Sequence, residues 1–315
     1  MSQVSILVTG ARGFIGSTLT PRLEASGFSV VTLNRSAALS LNGTDWTADL
    51  TDALHCSELK RRGSFPDVVV HLAGRVQINL RPDPAGFPAP VPDSQRGMAE
   101  TYATNVLGTA RLAEVCLEQG VRHFIFASSQ TVYGYPTVDE LTEETICQPL
   151  EHYAVSKYCA ERLLERAACG GMAVTALRIP GVFSERRNTG VVYRFCADAV
   201  TTGSIKVQST IALPIDVIHV DDVVDAMVRA VSLRPERWCV LNIATGEQCS
   251  LDLLAQEVAS LVTGCQVVDH SVPQPRFALS CMRAHRWLGW QAQPRRERLR
   301  QMVEFIGRGG IGACR

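Results

Sequence analysis

Thirteen residues near the start of the chain, VSILVTGARGFIG at Val4–Gly16, leave few folds open. Val4 to Val8 form a short β-branched and apolar run, which reads as a buried parallel strand. Gly10, Gly13 and Gly16 follow as a turn, and Ile15, Leu19 and Leu23 recur at helical spacing, so a helix begins within the turn. A strand, glycine turn and helix in this order let the backbone approach a pyrophosphate. The helix N-terminus offers it free N–H groups and a positive dipole. The spacing is G-x-x-G-x-x-G, so the triplet carries weight only with support from the rest of the chain.

That support comes in chain order. Phe28–Leu33 reads as a second strand, with Asn34 and Arg35 at its end, where a carboxylate would hold an adenosine ribose 2′-hydroxyl. Position 34 carries no acid, Arg35 is cationic, and Arg12 lies inside the glycine turn. Guanidinium groups without a competing carboxylate favour a 2′-phosphate, so NADP(H) is expected in preference to NAD(H). Asp49 and Leu50 are placed to face the adenine. Residues 67–74 (DVVVHLAG) form a buried strand ending in the small segment Leu72-Ala73-Gly74, against which a cofactor can lie. Residues 82–93 hold five prolines, which exclude helix and central strand; the segment reads as a surface loop, either a substrate lid or an inert insertion.

Met98 to Gln119 reads as a long helix ended by Gly120. The strand 121–127 leads into Ser128-Ser129-Gln130-Thr131, a polar segment where an open α/β sheet places its chemistry. His152–Ala168 is a helix with Tyr153 and Lys157 four residues apart on one face. Residues 173–178 are a further strand. Beyond Ile179, helices are expected at 190–202, from Asp221 to about Ser232, from Ser250 and at 295–307, with extended segments at 205–207, 215–220 and 238–243. The fold class is α/β: a doubly wound parallel sheet with a smaller C-terminal α/β substrate lobe.

In the 315 residues, 31 Lys+Arg balance 31 Asp+Glu, which gives no basic surface for nucleic acid or an anionic membrane. No apolar run approaches the roughly 20 residues of a membrane span. The eleven cysteines include no C-x-x-C pair and read as reduced core thiols, which points to the cytoplasm. The seven histidines show no H-x-x-x-H spacing, and no metal site is expected.

Together these pieces resemble the extended short-chain dehydrogenase/reductase family, also called the NAD-dependent epimerase/dehydratase family. The resemblance rests on TGARGFIG (9–16), HLAG (71–74), NVLGT (105–109), SSQTVYG (128–134), YAVSK (153–157), HVDDV (219–223) and NIATGE (242–247), in the family's order. It implies an NAD(P)-binding unit at 1–180 plus about 215–243, and a substrate lobe at about 181–214 plus 244–315. It implies Tyr153 as acid/base, Lys157 as its partner and Ser129 as the hydroxyl that holds the reacting oxygen. The cofactor set it implies adds Phe14, Ile15, Asn105 and Pro180 to the residues above.

Departures from the family narrow the reaction. Where dehydrating members resemble S-T-D-E-V-Y, this chain has Gln130-Thr131 in place of the Asp-Glu pair, and neither side chain titrates near neutrality. Dehydration and decarboxylation are therefore disfavoured. Where members that bind nucleotide diphosphates carry asparagine and arginine, this chain has Gly181 and Ile215; Arg186 or Arg187 is the candidate substitute. The leading expectation is an epimerase of a sugar or nucleotide sugar. The alternatives are an NADPH-dependent keto-sugar reductase and a non-catalytic nucleotide-sensing regulator. A homodimer built on helices 98–119 and 152–168 is also expected, by the same resemblance.

Overall fold

The computed structural model of the chain describes residues 3–310 apart from 37, 77–79, 83–87, 91–96, 213 and 234, with the backbone alone described at 80–82 and 88–90. Seven strands form the main sheet: β1 (Ser5–Thr9), β2 (Ser29–Asn34), β3 (Asp45–Thr47), β4 (Val68–His71), β5 (His123–Ser129), β6 (Ala173–Ile179) and β7 (Trp238–Asn242). Their order is β7-β6-β5-β4-β1-β2-β3, and every pairing is parallel. The chain steps outward from β1 in one direction to β3 and in the other to β7, so the order reverses between β1 and β4. Crevices at such a reversal, beyond the carboxyl ends of the strands, are where doubly wound sheets bind ligands.

The helices run α1 (Gly16–Ala25), α2 (Ala53–Lys60), α3, α4 (His152–Ala168), α5 (Val191–Thr202), α6 (Val220–Ser232), α7 (Leu251–Ala259), α8 (Met282–Leu288) and α9 (Arg295–Gly307). The long helix expected at 98–119 is α3, and it is not uniform. Met98–Tyr102 and Gly108–Glu118 are α-helical and Ala103–Leu107 between them is a π-helical turn. A π turn widens the helix by one residue, and here it carries Asn105 inward.

Every residue of β4 and β5 is buried, which explains why these strands are continuous apolar runs rather than alternating ones. One face of the sheet packs Ile6, Val8 and Leu177 against Leu19 and Leu23 of α1, Val223 and Met227 of α6 and Leu288 of α8. The other packs Leu7, Val69 and Phe124 against Leu59 of α2, Leu112 and Cys116 of α3 and Leu164 of α4. A third core lies apart from the sheet, where Phe195 of α5, Leu254 of α7 and Leu299 and Met302 of α9 close on one another. Gly181–Phe183 pairs with Val217–His219, and Ser204–Val207 with Gln266–Asp269, both away from the main sheet. The proline-rich segment departs from a plain loop: Leu80–Pro82 pairs antiparallel with Pro88–Pro90 as an isolated two-stranded ribbon. An edge ribbon tolerates missing N–H donors where a central strand does not. The rest of that segment, and with it the choice between a lid and an inert insertion, lies outside the described residues.

Candidate active site

The glycine turn is held by backbone crowding. Gly10 sits at φ +68°, and a Cβ there would stand 2.8 Å from the Ala73 amide nitrogen; one on Gly16 would stand 2.3 Å from the Gly10 carbonyl oxygen. Only glycine lets the turn close on β4 and on its own helix start. From β5 the chain enters a 3-10 turn, Gln130–Tyr133, begun by Ser129, whose Oγ accepts the Thr131 amide at 3.3 Å and the Thr131 hydroxyl at 3.0 Å. Glu151 starts α4 by accepting the amides of Tyr153 at 2.7 Å and Ala154 at 2.8 Å. A capped first turn fixes the direction in which Tyr153 leaves the helix.

These segments converge on one cavity of about 650 Å³ at the strand-order reversal. Gly10, Gly13, Phe14, Ile15 and Gly16 line it, with Leu72, Gly74, Ser129, Gln130, Thr131, Tyr153, Lys157, Pro180 and Arg187. Ser128, Gly181 and Ile215 line it too, whereas Arg12, Asn34, Arg35, Asp49, Leu50, Ala73, Asn105 and Arg186 stand outside this wall. Ala73 donates its amide to Thr9 Oγ1 at 3.1 Å. Asn105 is buried and braces the site from behind: its Oδ1 accepts the Arg75 amide at 2.7 Å, and its Nδ2 donates to the Arg75 carbonyl and to Ser156 Oγ, both at 2.9 Å. Asp49 accepts the Thr51 amide at 2.8 Å and hydroxyl at 2.7 Å, and Leu50 packs on the sheet core. Arg35 is exposed. Arg186 and Arg187 are exposed too, and of the two Arg187 lines the wall, its guanidinium 5.2 Å from the Phe14 ring centroid and donating to Thr189 Oγ1 at 3.0 Å.

The absence of an acid beside Asn34 does not survive folding. Asp45, at the start of β3, lies beside Asn34 and Arg12: Arg12 Nη2 donates to Asp45 Oδ2 at 2.8 Å, and Asn34 Oδ1 accepts the Arg12 amide at 3.1 Å. The β2–β3 register brings it there, since Asp45 is paired with Thr32.

Tyr153 and Lys157 are both buried. Lys157 Nζ donates to the Ala127 carbonyl at 2.8 Å and stands 6.0 Å from the Tyr153 ring centroid. Burial pushes the Tyr153 phenol up to about 12, while a hydrogen bond with Ser129 pulls the other way. Burial also pushes Lys157 down to about 8, and Glu161 one turn further along α4 opposes it. Desolvation thus outweighs the Ser129 hydrogen bond, the one contribution that lowers the phenol. Beneath the site, Glu161 accepts from Arg178 Nη2 at 2.7 Å and Nε at 3.1 Å and from Ser128 Oγ at 2.5 Å. It ties α4, β6 and the end of β5 together.

Asp216 has no forerunner among the expected site residues. It lines the cavity wall fully buried, Oδ1 accepting the Val217 amide at 2.7 Å, while Oδ2 has no partner. Burial lifts its carboxyl to about 7, and Arg295 Nη1, 4.0 Å away, opposes the rise. The only sequence signal was an acid immediately before an apolar strand.

The site can also be compared with known proteins. The model of the NAD dependent epimerase/dehydratase family matches residues 6–244. The chain belongs to that family. The UDP-glucose 4-epimerase of Mycolicibacterium smegmatis is 31% identical over 95% of this chain and 97% of its own. Among solved structures, MoeE5 in complex with UDP-glucuronic acid and NAD superposes with a TM-score of 0.75 at 29% identity, covering 97% of this chain and 99% of its own. The UDP-glucose 4-epimerase of Thermotoga maritima with UDP-glucose gives 0.74 at 26% identity, with the same coverage. The family is NAD-dependent, and in this chain Gly10, Gly13, Gly16 and Gly74 line the same cavity as Ser129, Tyr153 and Lys157. Among the described residues, no helix is long and apolar enough to cross a membrane.

Proposed function

We propose that this protein is an NAD(P)-dependent epimerase of a nucleotide sugar, acting at a carbinol carbon. One observation carries the reading: Ser129, Tyr153 and Lys157 share one cavity wall with the glycine turn. The relatives that act on UDP-sugars support the substrate class.

The roles follow from the hydrogen bonds. Ser129 Oγ already accepts two bonds from Thr131, so its own proton is free for the phenol oxygen or a substrate oxygen. Lys157 spends one proton on Ala127, and its Nζ stands beside Gly74, where a Cβ would meet it at 3.3 Å. That leaves the ammonium open to a cofactor ribose hydroxyl. When bound, oxidised nicotinamide would supply a hydride acceptor and a positive charge. Tyr153 then takes the substrate hydroxyl proton and returns it to the oxygen when the alcohol re-forms. Arg187 is the proposed anchor for a diphosphate, in place of the residues missing at Gly181 and Ile215. Gln130 donates to the Pro214 carbonyl at 3.3 Å and, with Thr131, offers no proton shuttle for loss of water.

For the cofactor we propose NADP(H) over NAD(H), supported by Arg12 and Arg35 on either side of Asn34 and tempered by Asp45. A cofactor of that type also suits the second reading, a keto-sugar reductase. The proposed architecture keeps the cofactor unit at 1–180 plus about 215–243 and the substrate lobe in the rest. We further propose a homodimer, supported by Leu107 and Leu117 of α3 and Leu163 of α4, which stand 43%, 37% and 41% exposed. The cytoplasm is the proposed compartment, since the ten described cysteines are free thiols.

The test is a panel of UDP-hexoses with either cofactor, read by mass spectrometry and nicotinamide absorbance. The expected result is an epimer of unchanged mass with no net absorbance change. A product lighter by one water would overturn the assignment, and stoichiometric oxidation of NADPH would move it to the reductase.

A further inference from the structure

Beside the glycine turn lies a carboxylate that the order of residues conceals. Asp45 is 11 residues past Asn34 and 33 past Arg12, yet its side chain joins both. Oδ1 accepts from Thr32 Oγ1 at 2.6 Å and from Asn34 Nδ2 at 3.3 Å; Oδ2 accepts from Arg12 Nη2 at 2.8 Å. The Thr32 hydroxyl, and after it the Arg12 guanidinium, hold the carboxyl below its ordinary range against a small desolvation cost, so it is charged at neutral pH. Both partners of the ion pair are open to solvent, at 70% for Arg12 and 58% for Asp45. The pair can therefore be exchanged when a ligand arrives, rather than being locked in place.

We propose that Asp45 limits the preference for a 2′-phosphate, by acting as the counter-ion with which that phosphate competes for Arg12. The inference rests on the glycine turn being the dinucleotide site. A ligand with a 2′-phosphate competes with Asp45 for the Arg12 guanidinium, and its own negative charge then lies beside the carboxylate. A ligand with a 2′-hydroxyl meets no such repulsion and can donate its proton to the same carboxylate. Asn34 takes part indirectly. Its Oδ1 holds the Arg12 amide and its Nδ2 holds Asp45, so it keeps the turn and the acid in one arrangement.

Asp45→Asn removes the charge and keeps an oxygen to accept from Thr32. Wild type and variant are titrated with NADPH and NADH, followed by nicotinamide fluorescence at low and high salt. Thermal unfolding checks that the variant is folded. The ratio of NADPH to NADH affinity is expected to move about tenfold toward NADPH, with a smaller shift at high salt because the groups are exposed. The readout is binding alone, so it needs no substrate. A ratio that moves less than threefold, or toward NADH, with both cofactors bound, would overturn the role of Asp45. If wild type bound neither cofactor, the reading of the glycine turn would fall, and this inference with it. If binding were intact but no epimer formed, only the proposed reaction would be lost.

Discussion

In the proposed reaction Tyr153 is the acid/base, and its burial works against that role. In the protein alone the phenol is held near 12, so it stays protonated at neutral pH. The charge of oxidised nicotinamide and the Lys157 ammonium must offset that burial before the phenol can act as a base. Tyr153→Phe keeps the ring and removes only the oxygen. It is expected to lower turnover by about 10²–10⁴-fold, the contribution typical of general acid–base catalysis. Dissociation constants for NADH and NADPH should change by less than about threefold. Near-normal turnover of the variant would show that another group moves the proton.

At the scale of elements, the site depends on how α4 is fixed to the sheet. Glu161 is 1% exposed and Arg178 5%, and their two hydrogen bonds join the middle of α4 to the end of β6. Ser128 adds a third tie from β5. Glu161→Gln leaves a buried guanidinium without its counter-charge, a change that typically costs about 3–5 kcal/mol; urea unfolding measures it. The same substitution reaches Lys157. Glu161 is the group that raises Lys157 against burial, so without it the ammonium gives up its proton at a lower pH than about 8. If the ammonium helps to bind the cofactor, affinity should fall off at a lower pH in Glu161→Gln than in wild type. An unchanged alkaline limb would confine Glu161 to a structural part.

On the scale of the whole molecule, α3 and α4 give their inner faces to the sheet core and leave leucines outside. Packing these two helices against their copies would bury apolar area on both partners around a twofold axis. Leu163→Glu places a charge on that surface without touching the cavity. Sedimentation at micromolar concentration should show dimer for wild type and a shift toward monomer for the variant. Monomeric wild type would refute the arrangement.

The sequence alone determined those features that depend on neighbours in the chain. The β1 strand, the glycine turn and α1 were legible because each depends on residues within one strand or one helical turn. The helical spacing of Tyr153 and Lys157 and the span of α9 were legible for the same reason. The π turn in α3 left no such signal, because Asn105 faces inward through bonds to Arg75 and Ser156, 30 and 51 residues away. Only the tertiary structure decided that Arg187 rather than Arg186 lines the cavity, and that Asp216 ends up buried in its wall. It alone placed the Asp45 carboxylate against Arg12. Such outcomes depend on strand register and on the exclusion of water from particular atoms. Both arise from packing between segments far apart in sequence, and no local pattern of residues encodes them.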